Sequence, residues 1–112
     1  MIHEINLEIG KPEVLQALRQ LEFYMANVRV KGDRVIKVIH GYGSSGKGGK
    51  IRSAVRRSVK EHKNEGNVTL MIKGEDFSIF DPSTRYLLEK FPEVSQDKDL
   101  ENANPGITYI LL

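Results

Sequence analysis

Residues 35–52, the most informative part of the sequence, read Val35-Ile-Lys-Val-Ile-His-Gly-Tyr-Gly-Ser-Ser-Gly-Lys-Gly-Gly-Lys-Ile-Arg52. Its apolar, β-branched start predicts a buried strand over residues 35–39. The five glycines that follow allow positive φ angles and a close approach of backbone to ligand. The basic helix predicted next directs its unpaired N–H groups and positive dipole end at the turn. The stretch therefore predicts an anion site, with phosphate as the ligand class.

Working outward, alternating apolar and polar residues over 2–9 predict a first strand, and Pro12 opens an amphipathic helix that ends near Gly32. Further elements follow the turn: a helix over 49–62, a strand over 68–72 with a short extension over 77–80, a helix from Asp81 or Ser83 to Pro92, a loop over 93–105 and a last strand over 107–112. This order favours an α/β two-layer sandwich with a βαβαβ core and a mixed sheet of about four to five strands.

The size and composition of the chain narrow the classes of protein. Its 112 residues fit a single domain over residues 1–112. No apolar run is long enough to span a bilayer and the start lacks a secretion signal, which predicts a cytoplasmic protein without membrane contact. With no cysteine, a disulfide framework, a thiolate nucleophile and a thiolate zinc site are excluded.

Positive charge is concentrated in the middle of the chain. Residues 29–63 contain eleven Lys or Arg and two acidic residues, whereas the formal net charge of the whole chain is only +2. Such a distribution indicates a localised face for a polyanion. The cations expected to hold phosphates are Lys47, Lys50, Arg52, Arg56 and Arg57. Arg52 and Arg56 also belong to a predicted solvent-exposed stripe of the second helix, together with Lys60 and Lys63. Tyr42 could stack on an unpaired base or pack on the neighbouring helix.

Two short motifs offer other interpretations of the turn. Gly41-x-Gly43-x-x-Gly46 matches a dinucleotide fingerprint, but the chain has fewer strands than that fold needs. Gly41 to Gly48 comes close to a P-loop, except that Gly48 stands where a magnesium-holding Ser or Thr is required. A nucleotide-binding or phosphate-ligand enzyme therefore remains an alternative function. A domain that binds an acidic protein partner is a third.

The same residues resemble a known family. Ile39-His40-Gly41-x-Gly43, followed by Lys50-Ile51-Arg52 and a helix, resembles the His-Gly-x-Gly signature and following Leu-Arg of the Smr (small MutS-related) domain. The end, Gly106-Ile-Thr-Tyr-Ile-Leu-Leu112, looks like the closing Gly-x-Thr-x-Val-x-Leu strand of that family. The resemblance covers most of the chain, and residues 73–104 look like an insertion.

The resemblance implies a fold similar to the C-terminal domain of bacterial translation initiation factor 3. It also implies binding of branched or structured DNA or RNA, with nicking endonuclease activity in some members. By this resemblance His40, Gly41 and Gly43 lie at the nucleic-acid site.

One departure from the family concerns cleavage. The first-strand Leu-Asp-Leu-His-Gly of the family appears here as Ile5-Asn-Leu-Glu-Ile-Gly10, so Asn6 replaces the acid and Glu8 stands near the place of the histidine. If that Asp and His serve cleavage, the chain binds without cutting. Alternatively, His40 and Glu8 are both catalytic, with Glu8 as a base or metal ligand beside His40, and a nicking reaction would then use Mg²⁺ or Mn²⁺.

Overall fold

The structure is a computed structural model that describes residues 2–42 and 47–112, with side chains described for residues 2–42 and 49–112. The described residues form four strands and three α-helices, with 3₁₀ turns at Gly74–Asp76 and Pro92–Gln96. In chain order they are β1 (Ile2–Asn6), α1 (Val14–Val30), β2 (Val35–Ile39), α2 (Lys47–Asn64), β3 (Leu70–Lys73), α3 (Pro82–Lys90) and β4 (Ile107–Leu111). The predicted α/β class and mixed sheet are confirmed.

The sheet brings four chain segments to one edge. Its strand order is β1-β2-β4-β3, with β1 parallel to β2 and with β4 antiparallel to both β2 and β3. Asn6 pairs with Ile39, Ile39 pairs with Ile107, and Lys73 pairs with Thr108. The carboxyl ends of β1, β2 and β3 and the amino end of β4 therefore meet at the edge where the glycine-rich turn begins.

Side chains that alternate along the strands build two cores. Ile36, Val38 and Ile110 face α1 and α2, where residues from both helices cover them. Both helices bury an apolar side there, with Leu21 and Met25 of α1 and Ile51, Val55 and Val59 of α2. The second core lies on the other face and contains Val35, Ile72, Phe77, Leu87, Val94, Tyr109 and Leu111.

The structure contradicts three of the predicted element boundaries. Residues 77–80 do not extend a strand, because the Phe77 ring turns inward to lie 4.1 Å from the ring of Tyr109. Residues 93–105 are not a plain loop, since they include the turn Pro92–Gln96 and bury Val94. The first strand ends at Asn6 rather than Ile9. The central strands are apolar on both faces, so the segment after β3 covers the face that α1 and α2 leave open.

A buried ion cluster ties this segment to the sheet. The ammonium of Lys37, in β2, lies 2.6 Å from Asp99 and 3.1 Å from both carboxylate oxygens of Asp97. Burial disfavours the charged ammonium, but its bonds to Asp99 and Asp97 outweigh that and hold the pKa of Lys37 above its usual value. Lys37 therefore contributes nothing to the basic face expected from residues 29–63.

Among the described helices, none combines the length and apolar character needed to cross a membrane.

A substitution at Gly74 tests how tightly the turn after β3 packs against the segment that enters β4. A Cβ at this position would overlap the carbonyl oxygen of Asn104 and Cγ1 of Ile107, and would lie 2.8 Å from the carbonyl oxygen of Ile107. We expect Gly74→Ala to lower the free energy of unfolding by about 3 kcal/mol, because backbone atoms must move to admit the methyl group. Urea unfolding followed by circular dichroism measures the loss.

Gly32→Ala is the control, since a Cβ there meets nothing within 4 Å and only the positive φ of 80° is strained. It should cost about 1 kcal/mol. Equal losses in the two variants would contradict the packing described for Gly74.

Candidate nucleic-acid interface

His40 lies at the end of β2 and is completely buried. Its Nδ1 is 2.7 Å from the carbonyl oxygen of Gly41, and its Nε2 is 2.8 Å from the hydroxyl of Thr108 in β4. A carbonyl oxygen can only accept, so we assign the ring proton to Nδ1. In the neutral ring Nε2 then accepts from the Thr108 hydroxyl, and both ring nitrogens are engaged.

Arg56 of α2 continues this hydrogen-bond chain. Its Nε donates to the Thr108 hydroxyl at 3.0 Å, and its two terminal nitrogens donate to the Glu75 carboxylate at 3.0 and 2.7 Å. One of them also donates to the carbonyl oxygen of Ile107 at 3.1 Å. Only 12% of the Arg56 side chain is exposed, so the prediction that it lies in a solvated stripe is wrong. Its guanidinium holds α2 against the start of β4 and the turn after β3.

The surroundings of His40 keep its ring neutral. Burial, reinforced by the positive charges of Arg56 and Arg52, lowers the pKa of His40 from its ordinary 6.5 to about 4, against the opposing effect of the bond to Gly41. The predicted role of His40 in catalysis stays a prediction. In the structure the ring joins the turn to β4.

Two glycines allow the turn to lie against β4. The backbone N–H groups of His40 and Gly41 both donate to the carbonyl oxygen of Gly106, at 2.9 and 3.0 Å. Gly41 has a φ of 76°, and a Cβ on Gly106 would lie 3.5 Å from the Cα of Gly41 and 3.2 Å from the ring of Tyr42. The His-Gly motif and the Gly-x-Thr motif are therefore the two sides of one contact, made by Gly106 and Thr108.

Glu8 reaches the turn but not the histidine ring. It is exposed, and a Cβ on Gly41 would lie 2.6 Å from its carboxylate oxygen. The Glu8 backbone N–H donates to the side-chain oxygen of Asn6 at 2.8 Å, so Asn6 shapes the turn that follows β1. The carboxylate thus stands over Gly41, while the two nitrogens of His40 bond elsewhere.

An open groove of about 610 Å³ runs between α2 and the edge strand β3, and we call it the basic groove. Glu75 is the one carboxylate in its walls, and Arg56 neutralises it. Partial burial disfavours the charged form of Glu75, but its bonds to Arg56 outweigh that and hold its pKa below the usual value. The lining residues are Arg52, Ser53, Arg56, Arg57, Lys60, Lys63, Met71, Lys73 and Glu75.

The remaining predicted contacts lie around this groove. Arg57 lines it and also a second, shallower groove that Lys50 lines. Tyr42 is 57% exposed at the turn, with one edge of its ring near Gly106. Two predicted residues lie outside what the structure describes, namely Gly43 and the side chain of Lys47.

Sequence reasoning missed several members of this site. Lys60, Lys63 and Lys73 line the basic groove, and Thr108 and Glu75 hold His40 and Arg56 in place. The first two belong to the charged stripe of α2, and Thr108 belongs to the closing motif. Nothing in the sequence indicated that Lys73 and Glu75 meet α2.

The described residues offer no ready divalent-metal centre. Across residues 2–42 and 47–112, no three His, Asp or Glu side chains are grouped so as to hold an ion.

The lowered pKa of His40 predicts a specific pH dependence of stability. Between pH 6.5 and 4 the unfolded chain binds a proton that the folded chain does not, so the free energy of unfolding falls as the pH drops through this window. The two pKa values differ enough for a full effect of about 3 kcal/mol below pH 4. Titration of the His40 ring signals by NMR should give a midpoint near pH 4. A midpoint near 6.5 would contradict the buried, neutral ring.

Comparison with known proteins identifies the family. The family model of the Smr domain matches residues 10–112. The chain is also similar to the crystal structure of the Smr domain of Thermus thermophilus MutS2, with a TM-score of 0.61 and 18% sequence identity over 98% of this chain and 96% of that one. No curated protein matches the sequence significantly. The chain therefore belongs to the Smr domain family.

Proposed function

We propose that this domain binds structured or branched nucleic acid, and that the basic groove is the surface that holds the phosphates. Smr domains are known in general as nucleic-acid-binding and nicking domains. The proposal rests on the charge of the side chains that line this groove. Six cationic side chains line it, and its single carboxylate already pairs with Arg56.

The spacing of these cations suits a polyanion. From Arg52 to Lys63 the helix rises about 16 Å at 1.5 Å per residue, which is enough to face several phosphates of one strand. Arg57, Lys60 and Lys63 are exposed, and Lys73 lies across the groove on β3. Five cations without a bonded carboxylate among the described residues attract phosphate oxygens in proportion to local charge density, irrespective of base sequence.

The turn after β2 gives this surface a second kind of contact. Tyr42 is exposed directly after Gly41, which contacts the segment that enters β4. Lys50 is exposed in the first turns of α2. A base unpaired at a hairpin loop or a junction can stack on an exposed tyrosine ring, whereas a base inside a duplex cannot. Gly41 belongs to the same turn, and Gly43 and Lys47 stay predicted contacts. His40 and Arg56 act by holding it in place.

We infer that binding, rather than cleavage, is the main activity. The family acid of the first strand is Asn6 here, and its side chain is engaged by the backbone of Glu8. His40 is neutral at pH 7, and both of its nitrogens are bonded inside the protein. Glu8 is the exposed carboxylate beside the turn, and it is the residue to change if cleavage occurs.

A charge-matched pair of variants tests the binding surface. We expect the triple variant Arg57→Ala, Lys60→Ala, Lys63→Ala to bind a labelled four-way DNA junction or RNA hairpin much more weakly than the unchanged protein. Because three phosphate contacts disappear, the slope of log affinity against log salt should fall in magnitude by about 2.7 for duplex DNA. Fluorescence anisotropy at several salt concentrations measures both quantities.

The control is Lys11→Ala, Arg19→Ala, Lys31→Ala, which removes the same charge from exposed positions outside the groove. It should keep most of the affinity and the salt slope. Equal losses in both triple variants would contradict a localised site. An unchanged protein that ignores both nucleic acids but is stabilised against heat by a nucleotide, or captures an acidic protein, would support the alternative functions instead.

Cleavage is tested separately. We expect supercoiled plasmid to stay intact when the domain is added with Mg²⁺ or Mn²⁺, at concentrations that saturate binding. Agarose gels resolve the nicked circle, and Glu8→Gln prepared in parallel controls for contaminating nuclease. Nicking by the unchanged protein that disappears in Glu8→Gln would contradict binding without cleavage and assign the reaction to Glu8.

A further inference from the structure

A continuous hydrogen-bond path joins the buried ion cluster to the turn after β2. Lys37 in the middle of the sheet donates to one oxygen of Asp99 at 2.6 Å, and the other oxygen of Asp99 accepts from the Asn104 side chain at 3.1 Å. The side-chain oxygen of Asn104 accepts from the Gly106 N–H at 2.9 Å. The Gly106 carbonyl oxygen then accepts from both His40 and Gly41.

Asn104 is the link in this path because its two ends bond in opposite directions. Its amide nitrogen donates to Asp99, whereas its oxygen accepts from the backbone two residues ahead. That second bond fixes the chain immediately before β4. The same side-chain oxygen lies 3.2 Å from where a Cβ on Gly106 would be, so Asn104 packs closely against Gly106 as well as bonding to it.

Asp99 gives the path a fixed anchor. It is only 7% exposed, and its carboxylate is held by Lys37, which is itself 2% exposed. Asp97 accepts the Asp99 N–H at 2.9 Å and the Tyr109 hydroxyl at 2.7 Å, so the segment before Asn104 is bonded to two strands of the sheet. A buried carboxylate with this many partners cannot shift without leaving a buried group unpaired.

We propose that Asp99 and Asn104 are positioning residues that set the conformation of the His40–Gly41 turn from the opposite face of the sheet. They hold the Gly106 carbonyl where both turn N–H groups can reach it, and thereby fix the direction in which Tyr42 leaves the turn. The consequence for nucleic-acid binding rests on the proposed function. The consequence for the turn does not.

An exchange of the two side chains tests this path. Asp99→Asn sets an amide group against the amide of Asn104, and Asn104→Asp sets two carboxylates against each other, so either change alone breaks the link. In the double variant Asp99→Asn, Asn104→Asp, the new amide can donate to the new carboxylate, and the carboxylate can still accept from Gly106. The net charge of the double variant is unchanged, and Lys37 keeps Asp97. Val94→Ala is the control, because it removes apolar contacts from the second core without removing any hydrogen bond of the path.

The first readout is hydrogen exchange of the His40 and Gly41 amides in the free protein, measured by NMR. Each single variant should raise these exchange rates about tenfold relative to amides in α1, as expected for the loss of roughly one hydrogen bond. The double variant should return them close to the rates of the unchanged protein. Single variants that change these rates no more than Val94→Ala does, or a double variant that restores nothing, would overturn the proposal.

The second readout is the affinity for the labelled RNA hairpin. It should fall several-fold in the single variants and recover in the double variant, as the double-mutant cycle requires. Affinities that stay constant while the amide exchange rates change would overturn the link from the turn to binding. An unchanged protein that does not bind the hairpin overturns the proposed function alone, since amide exchange is measured without nucleic acid.

Discussion

The antiparallel pairing of β2 with β4 is the constraint on which the rest of the structure depends. Both strands are buried on both faces, yet they carry Lys37, Thr108 and Tyr109, and His40 follows β2 directly. The polar groups of these buried side chains need partners away from water. On one side Asp97 and Asp99 meet Lys37 and Tyr109, and on the other Arg56 meets Thr108. Hydrogen bonds to the buried polar side chains of this central strand pair thus fix the positions of α2 and of the segment before β4.

This constraint explains why the site sits at one edge of the sheet. Because β1 and β2 are parallel while β4 runs the other way, the turns that follow β1 and β2 meet the segment that enters β4. Gly41 and Gly106 permit backbone-to-backbone contact there, and Thr108 reaches the histidine two residues further along β4. His40 and Gly41, at the start of the turn, are therefore held by hydrogen bonds to Gly106 and Thr108.

Charge is redistributed when the chain folds. Lys37 and Arg56 count toward the positive middle of the sequence, but Asp97 and Asp99 neutralise the first and Glu75 neutralises the second. In compensation, Lys73 of β3 joins Arg52, Arg57, Lys60 and Lys63 across the basic groove. The groove thus contains only some of the cations of the charged segment, and its positive character comes from side chains to which no carboxylate of the described residues bonds.

The sequence alone predicts the main helices and strands, the amphipathic character of α1 and the family, because periodicity and the His-Gly and Gly-x-Thr motifs are local features of the chain. It did not show that Phe77 and Val94 belong to a second core, because isolated apolar residues between turns have no repeating spacing from which burial can be predicted. It also predicted a solvated position for Arg56 and counted Lys37 toward the positive segment, because a count of charges carries no information on burial. Only the tertiary structure decided those roles: pairing between Lys37 and Asp99, or between Arg56 and Glu75, joins positions far apart in the chain, and it is set by how strands and helices pack.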